Sequence, residues 1–103
     1  MPDSKIARIG DRTHGICYHS SHNSPISVGG TIITGASNCY CEDKKIARVG
    51  DRVMTDCGHI GTIVTGAEGV IVENMRCATV GDLVRGVYKA TIITGASNSY
   101  APM

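Results

Sequence analysis

Ile6-Ala7-Arg8-Ile9-Gly10-Asp11 is written again as Ile46-Ala47-Arg48-Val49-Gly50-Asp51, and a third time, more loosely, as Cys77-Ala78-Thr79-Val80-Gly81-Asp82. Downstream of each hexapeptide stands an octapeptide: TIITGASN over Thr31–Asn38, TIVTGAEG over Thr62–Gly69 and TIITGASN over Thr91–Asn98. The chain is one unit repeated three times, with copies at about 6–45, 46–76 and 77–100. Such a period marks supersecondary units that cannot bury an apolar face alone and share one core. Thr, Ile and Val fill the octapeptides, and Gly, Asn and Asp punctuate them, which predicts short strands joined by turns. No window combines helical spacing with caps. The expectation is an all-β chain, a single domain over residues 1–103.

The repetition sorts structural residues from candidates for chemistry. Asp11, Asp51 and Asp82 recur in all three copies, after a Gly each time. Asp accepts hydrogen bonds from nearby backbone N–H groups, and Gly supplies a left-handed dihedral, so these pairs read as turn builders. Arg8 and Arg48 recur beside them, with Thr79 in the third copy; they read as ion-pair partners. Cys39 and Cys41 align with Val70 and Val72, and Cys77 aligns with Ile6 and Ile46. Free Cys behaves as a small hydrophobe, so these three are expected to be core thiols.

Bulk properties narrow the function. The 103 residues include four Tyr, no Phe and no Trp, so a core is possible but short of large side chains. A chain this size buries roughly two thirds of its unfolded surface. Small scaffolds of this kind need a staple, and five Cys cannot all pair within one chain. A formal charge of +1 makes no case for nucleic acid. No apolar run is long enough to span a bilayer as a helix. MPDSKIAR has no signal-peptide core, so synthesis in a cytoplasm is expected.

The first copy is longer than the others. Its extra residues lie in RTHGICYHSSHNSPISVGG, Arg12–Gly30, which holds three of the four His. A fixed repeat with one enlarged connection marks that connection as functional. His14, Cys17, His19 and His22 stand there; Cys57 and His59 flank Gly58 in the second connection. Imidazole and thiolate together favour zinc over magnesium or calcium, and a structural zinc takes four such ligands. The set read for it is His14, His22, Cys57 and His59, with Cys17 the main rival and His19 a further candidate. Iron is the alternative cation. No paired Cys-x-x-Cys is present. No nucleophile elbow, phosphate loop or dinucleotide fingerprint is present either, so no enzyme is expected.

Three [IV]-G-D turns, each followed by a Thr/Ile strand, together with His14-Gly15-Ile16-Cys17 and Cys57-Gly58-His59, resemble the PAAR-repeat proteins, and within them the short phage-type members. The resemblance runs from about Ile6 to Tyr100. It implies a small conical all-β domain with pseudo-threefold symmetry and a metal-stabilised apex. In that family the point is held by zinc, in many members through three histidines and one cysteine. The cone caps the trimeric β-helical spike of a phage tail or a type VI secretion system, one tip per trimer. It touches the target cell envelope as the spike is driven in. The Pro-Ala-Ala-Arg motif itself is absent, with Lys5-Ile6-Ala7-Arg8 and Lys45-Ile46-Ala47-Arg48 in its place. Where many members carry a liganding Cys-Gly after the third Gly-Asp, this chain has Arg85-Gly86, so the thiolate is assigned to Cys57. The chain ends at Met103, and no attached effector is expected. The competing readings are a small metal-dependent enzyme and a generic β-repeat binding module.

Overall fold

The computed structural model describes residues 4–20, 23–67, 69–97 and 100–101. None of these residues is helical. Twelve strands follow one another: β1 (Ser4–Lys5), β2 (Arg12–Cys17), β3 (Ile26–Ile32), β4 (Tyr40–Cys41), β5 (Lys44–Lys45), β6 (Arg52–Thr55), β7 (Ile60–Ile63), β8 (Ile71–Val72), β9 (Met75–Arg76), β10 (Leu83–Gly86), β11 (Tyr88–Ile92) and β12 (Tyr100–Ala101). The all-β expectation holds. Six of the strands close an antiparallel barrel in the order β10-β11-β2-β3-β6-β7. The other six form three two-stranded pairs, β1 with β12, β4 with β5 and β8 with β9.

Alternation along each barrel strand sends every second side chain inward. In β6, Val53 and Thr55 are buried while Arg52 and Met54 are exposed. In β11, Tyr88, Ala90 and Ile92 face in, and Lys89 is exposed. A barrel this narrow is filled by its own side chains. Ile32, Val53, Ile63, Val84, Tyr88 and Ile92 are fully buried in it. Tyr88 is the largest of them, and the missing Cβ of Gly61 leaves its ring and Val84 the room they need. The Tyr88 hydroxyl meets the Thr13 hydroxyl at 2.8 Å and donates to the Val28 carbonyl at 3.2 Å, so this buried polar atom is satisfied.

The hexapeptides close one end of the barrel. The Ala47 N–H donates to the Ala7 carbonyl, Ala78 N–H to Ala47, and Ala7 N–H to Ala78, at 3.0, 3.0 and 2.9 Å. Three peptide groups thus form a closed ring of hydrogen bonds, and all three Ala side chains are fully buried. Each hexapeptide then turns at its Gly-Asp. The carboxylates of Asp11, Asp51 and Asp82 accept from the N–H of the residue three before, Arg8, Arg48 and Thr79, at 2.8, 2.7 and 2.8 Å. Gly10, Gly50 and Gly81 have φ of 94°, 97° and 98°, which a Cβ would resist. The recurrent Arg residues pair within their own turns: Arg8 with Asp11 at 3.0 Å and Arg48 with Asp51 at 3.2 Å.

Cys41 and Cys77 are buried, and Cys39 packs half-buried against the small cluster around Ala36, Val72 and Cys77. The insert of the first copy goes partly into strand, which its sequence reading did not give. The enlarged connection, 18–25, stands on a lengthened hairpin, β2 paired with β3 from Arg12↔Thr31 to Cys17↔Ile26.

Candidate metal centre

The barrel end away from the alanine ring carries the connections β2–β3, β6–β7 and β10–β11. Donors from the first two meet there. The Nδ1 of His59 lies 3.4 Å from the Sγ of Cys17 and 3.4 Å from the Sγ of Cys57. All three ligand atoms lie within 4.8 Å of one another, and together they could hold a metal ion.

Each donor is placed by a distinct local cause. Cys17 is the last residue of β2 and shares the inward face with Thr13, so it is fully buried. Cys57 and His59 belong to the tight connection between β6 and β7. There the Gly58 N–H donates to the Thr55 carbonyl at 3.0 Å, and Gly58 takes a φ of 92°. Thr55 holds the connection twice more. Its hydroxyl accepts from the His59 N–H at 2.8 Å and lies 3.1 Å from the Cys57 sulfur. Reading for titratable residues passes over Thr55; its position directly before Asp56-Cys57-Gly58-His59 is the one signal. His19, just beyond β2, stacks its ring on that of His59 with centroids 3.8 Å apart and planes 13° apart.

The residues read from the sequence are distributed unevenly. Cys57 and His59 come together. Cys17, the rival candidate, stands with them. His14 does not: it is exposed on the outer wall, where its Nε2 lies 3.0 Å from the Ser27 hydroxyl. The reason is the pleat of β2, which sends His14 and Cys17 to opposite faces of the barrel wall. His22 lies outside the described residues.

The donor set suits a tetrahedral cation. Zinc with bonds of about 2.3 Å to sulfur and about 2.1 Å to nitrogen sets S···N separations of about 3.5 Å, close to those found here. Thiolate and imidazole together select zinc or a similar borderline metal over the hard oxygen-seeking ions. Burial pushes the Cys17 thiol up, opposed by the backbone N–H of His19, so a cation binding there displaces a proton. Asp56, the carboxylate next to Cys57 in the chain, is otherwise engaged. Arg12 grips Asp56 through two hydrogen bonds of 3.1 and 2.7 Å, and this holds the carboxyl below its ordinary value.

No protein-family model matches the chain, and no curated protein matches it in sequence.

Proposed function

We propose that the chain is a non-enzymatic tip protein of the PAAR-repeat kind. Its pseudo-threefold, conical body sits on the end of a trimeric β-helical spike, in a phage tail or type VI secretion machine, and aids envelope piercing. The observation that carries this reading is a surface repeated three times. Ile33, Val64 and Ile93 occupy the same octapeptide position, directly after the buried Ile32, Ile63 and Ile92, and are 41%, 45% and 52% exposed. Large β-branched residues left in solvent at equivalent points fit a partner that presents one apolar contact on each of three identical chains. The pairs β4–β5 and β8–β9, and the pair β1–β12 made from the two ends of the chain, offer short edges for strand addition beside them.

Zinc held by Cys17, Cys57 and His59 at the opposite end supplies what the aromatic-poor core lacks. It ties the β2–β3 side of the barrel end to the β6–β7 connection. A rigid point then bears the load of insertion without fraying.

The three protein donors found among the described residues favour a second reading, since hydrolytic zinc sites keep a fourth position for water. Among the described residues no carboxylate joins this donor group, and Asp56 beside Cys57 is engaged by Arg12, which speaks against it.

The test is reconstitution with a trimeric β-helical spike protein. One tip per trimer on the threefold axis is expected, and replacing Ile33, Val64 and Ile93 together by Asp should abolish the complex while leaving the monomer folded. Three tips per trimer, or a complex indifferent to the triple change, would refute the assignment.

A further inference from the structure

Two of the three donors are thiols, and they come from segments far apart in the chain. We propose that Cys17 and Cys57 are also a modification site, joined by a reversible disulfide that forms on two-electron oxidation and replaces the bound cation. Their sulfurs lie within 4.8 Å of each other and flank the same imidazole nitrogen. A disulfide needs them at about 2.05 Å, so one side must yield. Cys57 is on the side that can. It sits in the β6–β7 connection next to Gly58, where a Cβ would meet nothing within 4 Å.

With hydrogen peroxide as oxidant the step balances. The half-buried Cys57 sulfur, as thiolate, attacks one peroxide oxygen and breaks the O–O bond, becoming a sulfenic acid and releasing hydroxide. The Cys17 sulfur then attacks the Cys57 sulfur, and the S–O bond breaks as the S–S bond forms. The two thiols give up two electrons and two protons, and the peroxide becomes two waters. A disulfide is a poor ligand, so a cation held by the two thiolates and His59 loses two of three donors and leaves. The remaining cysteines are less available. Cys41 is buried, Cys77 is fully buried with its thiol pushed up to about 11 mainly by that burial, and burial also raises Cys39. The cation's part in this rests on the zinc reading above; the sulfur–sulfur bond does not.

The experiment titrates the zinc-loaded chain with hydrogen peroxide. Released zinc is followed with a chelating dye, and linked peptides are mapped without reduction. Zinc release in equal amount to a Cys17–Cys57 crosslink is expected, with both reversed by dithiothreitol. Zinc-free protein should crosslink faster, and its oxidised form should melt above its reduced form, because the bond constrains the unfolded chain. The variants Cys39→Ser and Cys77→Ser should keep the crosslink, and Cys57→Ser should lose it. If Cys57→Ser does not fold, the peptide map of the unaltered chain decides. Sulfinic acid at Cys57 without a crosslink, or a bond to Cys39, Cys41 or Cys77, overturns the proposal. A chain that takes up no zinc yet still crosslinks sinks the metal assignment alone, and a chain that binds zinc and spike but never crosslinks sinks only the disulfide.

Discussion

The Thr34 hydroxyl donates to the carboxylate of Asp51 at 2.8 Å, tying the octapeptide of the first copy to the turn of the second. Thr65 does the same for Asp82 at 2.9 Å, and Thr94 returns from the third copy to Asp11 at 3.0 Å. The same hydroxyls accept from the backbone N–H of Arg52, Leu83 and Arg12 at 2.9, 2.9 and 2.8 Å. Each repeat therefore completes the turn of the next, and the last completes the first. Asp51 is 5% exposed, so its carboxylate depends on these donors in place of water. Thr34→Val should cost about 1–2 kcal/mol, and Asp51→Ala about 3 kcal/mol, because the latter strands several donors at once. Urea denaturation measures both. Equal costs for the two changes would mean that Asp51 contributes only through Thr34.

The alanine ring predicts a steric limit. Ala7, Ala47 and Ala78 are fully buried where three backbones meet through mutual hydrogen bonds. There is no space there for a branched side chain, and overpacking of this kind costs roughly 1–3 kcal/mol. Ala47→Val should lower the denaturation midpoint accordingly. A stability unchanged within error would show that the three hexapeptides can part without loss.

Glu73 predicts an acid limb. The N–H groups of Asn38 and Ser37 and the Ser37 hydroxyl all donate to its carboxylate, at 2.8, 2.9 and 2.9 Å. The bonds from Asn38 and Ser37 pull its pKa down from 4.5 to about 2. Because the folded value lies below the unfolded one, the stabilisation is complete above about pH 4.5 and is lost as pH falls from there toward 2. Glu73→Gln should be less stable at neutral pH, and its stability should converge on that of the unaltered chain as pH approaches 2. Parallel curves across that window would remove Glu73 as the cause.

The turns were legible because their chemistry is local. A Gly-Asp pair with β-branched neighbours carries its own hydrogen-bonding instructions, and three copies leave little freedom in reading them. The barrel order was not legible, because β10 closing on β7 is a pairing between copies that no local pattern encodes. The candidate site was half legible for the same reason. Cys57 and His59 are joined by one tight turn, so their convergence follows from Gly58. Placing Cys17 and His14 required knowing that Arg12–Cys17 is a strand, and Gly15 in its middle hides that. Once the strand is known, the two-residue period alone puts Cys17 inside and His14 outside.

That division gives the sharpest prediction about the metal. If zinc sits among Cys17, Cys57 and His59, the purified chain should carry about one zinc. Saturation at about a thousand times the dissociation constant is worth about 4 kcal/mol, so chelation should lower Tm by about 15–30 °C for a domain this size. His59→Ala removes a direct donor and should weaken zinc binding by more than the 10–100-fold, approximately, that losing an outer partner costs. His14→Ala should leave affinity within about twofold, since that ring meets Ser27 on the far side of the wall. Loading should fall on acidification, because protons compete for both thiolates and for the imidazole. Isothermal titration of zinc into the stripped variants at two pH values reads all of this. A His14→Ala loss as large as that of His59→Ala would move the cation to the outer wall and remove the barrel end from consideration as its site.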